Sequence, residues 1–182
     1  MNEQIVITGA GPAGTLAANR LRAALDAAAH RIVVIDRADP CDQELDLLVS
    51  LGIYGPGTLQ PPEDVRLRDG IERRLADVAT IDPDRKEVCL TDGTTVPYGV
   101  LVLATGRHRL PPTTAGHLTI AADGLPSTGR ADIYVVVPGR GGRWPAVERP
   151  VRTQVELLVD GVLRYLDGSA AVGGGVANTA AG

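Results

Sequence analysis

The sequence of 182 residues predicts an α/β fold with a parallel sheet and a three-stranded β-meander. Two β-branched runs, residues 4–8 and 31–35, flank an Ala-rich stretch, and a strand–helix–strand unit of this length forms parallel strands. Three short strand candidates then follow one another across turn sequences, which is typical of an antiparallel meander. A chain of this length suits one domain.

The first half of the chain contains two strand candidates and two helix candidates. The runs QIVIT (4–8) and RIVVI (31–35) have the length and composition of buried strands. Residues 15–29 place Leu among many Ala, which favours a helix. Residues 39–62 are rich in Pro and Gly and predict a loop. Residues 63–75 (EDVRLRDGIERRL) open with two acidic residues and predict a second helix.

The second half alternates short strands with turns and closes on a helix. The meander candidates are 77–81, 87–91 and 95–96, separated by the turn sequences DPDR and DGT. The remaining predictions are a buried strand at 99–104, a strand at 117–121 within a polar connection, a strand at 132–137, an amphipathic helix at 151–166 and a disordered Ala/Gly-rich tail at 169–182.

Composition excludes several classes of function. The formal net charge of -4 and the absence of a basic cluster argue against a nucleic-acid partner. The longest apolar run, residues 100–104, is far too short for a membrane span. Two cysteines form no disulfide framework, which predicts a reduced, cytoplasmic protein. No metal-ligand spacing occurs, so we expect no metal site.

A glycine-rich turn lies between the first strand and the first helix. Gly9, Gly11 and Gly14 form the pattern GxGxxG, in which one glycine makes the tight turn, one lets a pyrophosphate approach and one lets the helix pack on the strand. The helix N-terminus then offers N–H groups and partial positive charge to phosphates. We therefore predict that residues 9–14 bind a dinucleotide; the alternative is a purely structural turn. The residues concerned are Gly9, Ala10, Gly11, Pro12, Ala13 and Gly14.

An acidic residue ends the second strand. Asp36 follows Gly14 by 22 residues, which is where a carboxylate accepts hydrogen bonds from ribose hydroxyls. A carboxylate favours an unphosphorylated ribose, so the ligand is NAD or the ADP half of FAD rather than NADP. The neighbouring Arg37 is included in the predicted cofactor site. The alternative for Asp36 is a solvated residue at a strand end.

The region 77–107 distinguishes between these cofactors. A β-meander that leads into a strand ending in Ala-Thr-Gly resembles the second signature of the FAD-dependent pyridine nucleotide-disulfide oxidoreductases, closest to type II NADH dehydrogenases and sulfide:quinone reductases. The resemblance implies a single Rossmann-like FAD-binding domain, residues 1–168. It also implies that Ala104, Thr105 and Gly106 lie against FAD and that Val78 or Ala79 faces the adenine.

The closing segment resembles the same family in part. Residues 123–137, followed by the helix candidate at 151–166, correspond to the family's strand IYAxGD and the helix whose N-terminus meets the flavin. In direct alignment the family's Gly-Asp falls on Val137 and Pro138. A shift of register assigns the contact to Gly139 and Arg140 instead, or the backbone N–H groups of residues 139–142 supply it. The remaining alternative is that the contact has been lost.

The resemblance also identifies a deletion. In the family a nicotinamide-binding domain with its own GxGxxG is inserted between these segments, whereas here only residues 107–131 join them and no second GxGxxG occurs. A strand–helix–strand unit alone needs about 30 residues. We therefore expect a small FAD-binding flavoprotein, oxidoreductase-like, that acts on a small organic substrate without its own NAD(P)H site. The alternatives are a non-redox cyclase or isomerase that uses FAD as a scaffold, and a non-catalytic nucleotide-binding module.

The deletion also bears on assembly and on other candidate residues. It uncovers surfaces that are covered in the family, so we expect a homodimer. Several side chains have both a functional and an ordinary interpretation. Cys41 and Cys89 are either redox-active or unreactive thiols, and His108 and His117 are either acid–base groups or loop histidines. Trp144 either covers the flavin or packs in the protein, and Arg140 and Arg143 either bind an anion or are solvated.

Overall fold

The computed structural model describes residues 3–37, 66–106, 119–120, 126–137 and 150–173. It confirms the α/β class with a parallel sheet and a three-stranded meander. In chain order the elements are β1 (Glu3–Thr8), α1 (Pro12–Ala24), β2 (His30–Asp36), β3 (Ile71–Leu75), β4 (Val78–Asp82), β5 (Glu87–Leu90), β6 (Thr95–Pro97), β7 (Val100–Leu103), β8 (Thr119–Ile120), β9 (Pro126–Ser127), β10 (Ile133–Val135) and α2 (Val151–Gly173).

The main sheet has seven strands in the order β3-β2-β1-β7-β10-β9-β8. The five strands from β3 to β10 are parallel, so their carboxyl ends lie along one edge. Strand β9 pairs antiparallel with β10 and with β8, and these two short strands extend the sheet. The meander β4-β5-β6 forms a separate antiparallel sheet.

The strands of the main sheet are covered on both faces. Side chains alternate along a strand, so Ile5 and Ile7 of β1 join the cluster under α1 and α2, whereas Val6 joins the cluster under the meander. All three are 0% exposed. The fold therefore has three layers: helices, parallel sheet and meander. This arrangement explains why the central strands read as continuous apolar runs.

The helix predicted at 63–75 is wrong over its described part. Residues 71–75 form β3, which pairs in parallel with β2 at the edge of the sheet. Ile71 and Leu75 are four residues apart, a spacing that suits a helix, but Gly70 has a φ of +82° in the turn before β3. Strand β3 lies at the exposed edge of the sheet, where charged side chains are tolerated. Its sequence therefore lacks the alternation of apolar and polar residues that indicates a strand. Residues 63–65 lie outside the described part.

Other boundaries differ in detail. Helix α1 begins at Pro12 and ends at Ala24, earlier at both ends than the predicted 15–29. Helix α2 continues to Gly173, so residues 169–173 are helical where a disordered tail is predicted, because small residues such as Ala extend a helix readily. The segment 174–182 lies outside the described residues. Within the described ranges, no helix combines the length and apolarity that crossing a bilayer needs.

A buried carboxylate joins the meander to the amino edge of the main sheet. Asp132 precedes β10, its side chain is 6% exposed, and it contacts Lys86 Nζ at 3.1 Å and Arg130 Nε at 3.0 Å. Lys86 lies in the turn between β4 and β5 and also donates to the Tyr165 hydroxyl on α2 at 3.4 Å. Burial alone would raise the pKa of Asp132, but the hydrogen bonds from Arg130 and Lys86 outweigh it and leave the pKa below its usual value.

We expect Asp132→Asn to lower the free energy of unfolding by about 2 kcal/mol, since hydrogen bonds to charged groups contribute roughly this much. The lowered pKa of Asp132 means that its contribution is present above the usual value of 3.8 and is lost as pH falls through the folded-state pKa. Urea unfolding from neutral pH to about pH 3 should therefore show the difference between wild type and variant shrinking in acid.

Asp84→Asn is the matched control. Asp84 pairs with the same Arg130 at 3.6 Å, but its side chain is 97% exposed. Exposed pairs contribute little, so this variant should unfold like the wild type. Equal losses in the two variants would contradict a special role for the buried carboxylate.

Candidate functional site

A pocket of about 540 Å³ opens at the carboxyl edge of the parallel strands. Its wall is formed by the carboxyl ends of β1, β2 and β7, the turn before α1 and the segment before β4. The residue that follows β10 and the first residue of α2 complete it. The lining residues are Thr8, Gly9, Gly11, Pro12, Ala13, Ile35, Asp36, Arg37, Ala76, Asp77, Val78, Ala104, Thr105, Gly106, Val136 and Val151.

Two glycines of the turn are required by the chain itself. Gly9 has a φ of +99°, and a Cβ there would lie 2.5 Å from the carbonyl oxygen of Ala104. A Cβ on Gly14 would lie 1.9 Å from the carbonyl oxygen of Gly9. Both distances are impossible between non-bonded atoms, so only glycine lets α1 begin this close to the ends of β1 and β7.

Gly11 differs from the other two glycines. A Cβ at this position would meet no atom of the described residues within 4 Å, and its φ of -65° is accessible to any residue. Because Gly11 lines the pocket, a side chain there would occupy pocket space rather than clash with protein. The protein's own conformation gives no reason for glycine here, whereas a ligand that approaches the backbone does.

The amino end of α1 is open to the pocket. Gly11 is the N-cap residue, no side chain caps the helix, and the first turn holds no acidic residue. The first N–H groups of a helix have no partner within it, and together with the helix dipole they favour an anion. The pocket thus has a positive electrostatic end without a charged side chain.

Asp36, at the end of β2, is hydrogen-bonded to the glycine turn. Its Oδ2 accepts a hydrogen bond from the Ala10 N–H at 2.5 Å, and its Oδ1 accepts one from the Arg37 N–H at 2.7 Å. The carboxylate therefore organises the turn as well as bordering the pocket. Each carboxylate oxygen has a further lone pair, so both can still accept hydrogen bonds from a ligand.

An ion pair borders the pocket beside Asp36. Arg37 Nε and Asp77 Oδ1 are 3.0 Å apart, and both side chains are nearly half exposed. The pair connects the end of β2 to the segment that enters β4. Val78 lines the pocket directly after Asp77.

Two hydroxyl groups of the wall have no hydrogen-bond partner in the part of the chain that the structure describes. Thr8 Oγ1 and Thr105 Oγ1 are buried and form no hydrogen bond with the described residues. Both threonines line the pocket, at the carboxyl ends of β1 and β7. Buried polar groups are nearly always paired, so these hydroxyls are available to a polar ligand or to water.

The structure brings most of the predicted site residues together. Of the residues in the glycine turn, Gly9, Gly11, Pro12 and Ala13 line the pocket, whereas Ala10 and Gly14 support it through the backbone contacts described above. In the first meander strand Val78 lines the pocket, and Ala79 is exposed and does not.

Other candidates lie elsewhere. Cys89 is a half-buried free thiol on β5, a strand of the meander that contributes nothing to the pocket wall. Across the described ranges, no group of three or more His, Cys, Asp or Glu side chains is placed to hold a metal ion. The positions that fall outside the described residues are Cys41, His108, His117, Gly139, Arg140, Arg143 and Trp144.

Sequence reasoning missed several pocket residues. Thr8 precedes the glycine fingerprint directly, and its position at a strand end was an available signal. Asp77 and Val151 carry no motif, and they line the pocket because the meander and α2 pack against the sheet. Val136 belongs to the predicted strand 132–137 and lines the pocket directly after β10.

The fold and the pocket define a dinucleotide-binding α/β domain. Residues 3–136 match the pyridine nucleotide-disulphide oxidoreductase family, which is well over half of the chain. The chain belongs to this family, whose members are FAD-binding flavoproteins, and the cofactor predicted from the sequence is thereby confirmed.

Solved structures similar to this chain include three oxidoreductases. The sulfide:quinone oxidoreductase of Aquifex aeolicus is 23% identical over 59% of this chain and 25% of its own, with a TM-score of 0.43. The NADH:rubredoxin oxidoreductase of Clostridium acetobutylicum is 26% identical over 57% and 27%, with a TM-score of 0.43.

The third is the ferredoxin reductase for the CYP199A2 system from Rhodopseudomonas palustris, 28% identical over 65% of this chain and 30% of its own, with a TM-score of 0.43. The chain therefore matches between 25% and 30% of the length of these three proteins.

Substitution by Ala should distinguish the glycine that the fold requires, Gly14, from the glycine that faces the pocket, Gly11. We expect Gly14→Ala to lower the melting temperature strongly, because its Cβ would overlap the Gly9 carbonyl oxygen. Gly11→Ala should melt within a few degrees of the wild type, since a change of about 1 kcal/mol or less is expected at a compatible φ. It should nevertheless bind FAD at least about tenfold more weakly, because the methyl group occupies the pocket.

Differential scanning fluorimetry and quenching of FAD fluorescence measure the two effects. Normal FAD affinity in Gly11→Ala would contradict the interpretation that this glycine serves the ligand.

Proposed function

We propose that this chain is a FAD-binding redox domain that acts on a small organic substrate and has no nicotinamide-binding domain of its own. The observation that carries the proposal is the short connection between β7 and β10. Its described residues contribute only the antiparallel strands β8 and β9, and the chain contains one GxGxxG pattern.

The pocket fits the pyrophosphate of FAD at its glycine-rich end. The open space at Gly11 lets phosphate oxygens approach the backbone, and the uncapped N-terminus of α1 supplies N–H donors. With no acidic side chain in the first turn of α1, nothing on that turn repels the phosphates.

The other end of the pocket wall fits a ribose. Asp36 would accept hydrogen bonds from the ribose hydroxyls with the lone pairs that Ala10 and Arg37 leave open. A carboxylate at this place disfavours a phosphorylated ribose. Val78 would offer an apolar surface to the adenine.

The polar residues next to the glycine turn suit the parts of FAD other than the pyrophosphate, ribose and adenine. Thr8 and Thr105 would donate hydroxyl hydrogen bonds that the described protein does not use. Val136 and Val151 would shield the ligand from water on the side of α2. FAD, when bound, supplies two-electron redox chemistry, and the residues of this chain bind it, orient it and limit its access to water.

The cofactor assignment is tested by releasing and identifying what the protein binds. Purified protein, reconstituted with a mixture of FAD, FMN and NAD if necessary, should retain FAD. Asp36→Ala should weaken FAD binding about tenfold or more, because hydrogen bonds to a charged acceptor are lost. Asp77→Ala is the matched control, since it removes another carboxylate from the same pocket wall.

Isothermal titration with FAD compares the variants. A protein that retains NAD in preference to FAD would overturn the assignment. Equal losses in Asp36→Ala and Asp77→Ala would contradict the ribose contact and leave only a general effect of pocket charge.

The proposed lack of a nicotinamide site makes a second prediction. NADH and NADPH should not reduce the bound flavin in anaerobic stopped-flow mixing, because hydride transfer needs the nicotinamide held about 3–3.5 Å from the flavin. The only GxGxxG pattern of the sequence is assigned to FAD, and the described part of the connection contributes the antiparallel strands β8 and β9.

Dithionite is the positive control and should bleach the same sample. Rapid loss of the flavin's visible absorbance on mixing with NADH would overturn the proposal. It would instead indicate a reductase that uses nicotinamide.

A further inference from the structure

Gln154 of α2 is completely buried although its side chain is a polar amide. Its exposed fraction is 0%. Its Oε1 accepts a hydrogen bond from the Val137 N–H at 3.2 Å, and its Nε2 donates one to the Val137 carbonyl oxygen at 3.0 Å. The amide thus pairs with both main-chain groups of one residue, as a neighbouring strand would.

Val137 lies just beyond the end of β10, where the described strands provide no further main-chain partner. The last main-chain bond from this segment to β7 runs from the Val136 N–H to the Leu103 carbonyl oxygen at 2.9 Å. On the other side, β9 pairs with β10 only between Ser127 and Tyr134. Val137 is 4% exposed, so its N–H and carbonyl groups would be buried without a partner among the described residues if Gln154 were apolar.

The same contact joins two walls of the pocket. Val136 lines it from the end of β10, and Val151 lines it from the first turn of α2. Val151 and Gln154 are three residues apart and therefore lie on the same side of the helix. The Gln154 N–H also bonds to the Pro150 carbonyl oxygen at 3.0 Å, so the amide side chain extends from a regular helical turn.

We infer that Gln154 is a positioning residue for FAD binding. By pairing with Val137 it holds the end of β10 and the start of α2 together, so that Val136 and Val151 both face the cofactor. The inference rests on the proposed function, in which this pocket holds FAD. An apolar residue would fill the same buried space but would leave the strand end unpaired, which is why the amide matters.

Gln154→Glu tests the inference through pH. A neutral carboxylic acid can accept from the Val137 N–H and donate to its carbonyl oxygen, as the amide does, whereas a carboxylate cannot donate. Burial raises the pKa of such a carboxyl, so the neutral form is accessible in mild acid. We expect the variant to bind FAD within about threefold of wild type near pH 5.5 and about tenfold more weakly near pH 8.5.

Gln4→Glu is the matched control. Gln4 also donates its side-chain amide to a main-chain carbonyl, that of Pro97 at 2.8 Å, but it lies toward the amino ends of the strands. Its FAD affinity should depend on pH only as the wild type's does. A pH-independent affinity in Gln154→Glu, at the wild-type value, would overturn the inference.

Hydrogen exchange in the cofactor-free protein gives a second readout. The Val137 amide of the wild type should be protected like that of Val136, and Gln154→Leu should expose it to faster exchange while also weakening FAD binding at every pH. Rapid exchange of Val137 in the wild type would overturn the inference even if both variants failed to fold.

The two proposals can fail separately. A wild type that takes up no FAD would overturn the proposed function and this inference with it. Normal FAD binding by the wild type together with wild-type behaviour of both Gln154 variants would overturn only the inference.

Discussion

The close approach of the start of α1 to the ends of β1 and β7 is the constraint on which the rest of the structure depends. Gly9 meets the Ala104 carbonyl, and Gly14 meets the Gly9 carbonyl, at distances that exclude any side chain. This contact aims the amino end of α1 at the carboxyl edge of the sheet. It also brings Ala10 within reach of the Asp36 carboxylate, so that β1, β2, β7 and α1 all border one pocket.

Because the sheet is buried on both faces, the polar groups at its strand ends must find partners within the protein. Because helices cover one face and the meander the other, main-chain and charged groups at the strand ends need partners from these layers. At the amino edge Asp132 is paired with Lys86 of the meander and with Arg130. At the carboxyl edge the amide of Gln154 pairs with Val137. The covering layers therefore anchor the sheet as well as shielding it.

Strand β3 illustrates where local sequence is ambiguous. Ile71 and Leu75 have helical spacing, and their charged neighbours look like a solvated helix face. Pairing with β2 decides the matter, since the strand gains main-chain hydrogen bonds that depend on a partner far away in sequence. The same reasoning applies to β9, which is too short to be recognised alone and pairs with β10 and β8, whereas β8 falls within the strand predicted at 117–121.

The sequence by itself determined the glycine turn, the carboxylate that follows β2, the meander and the central strands, because each depends on neighbouring residues or on a regular apolar pattern. These features predict the fold class and a dinucleotide, and the resemblance of residues 77–107 to the family's second signature then predicts FAD. Only the tertiary structure decided that Val78 and not Ala79 faces the pocket, and that Asp77, Val136 and Val151 complete its wall. The physical reason is that side-chain direction and long-range packing depend on how the meander and α2 sit against the sheet, which no local pattern records.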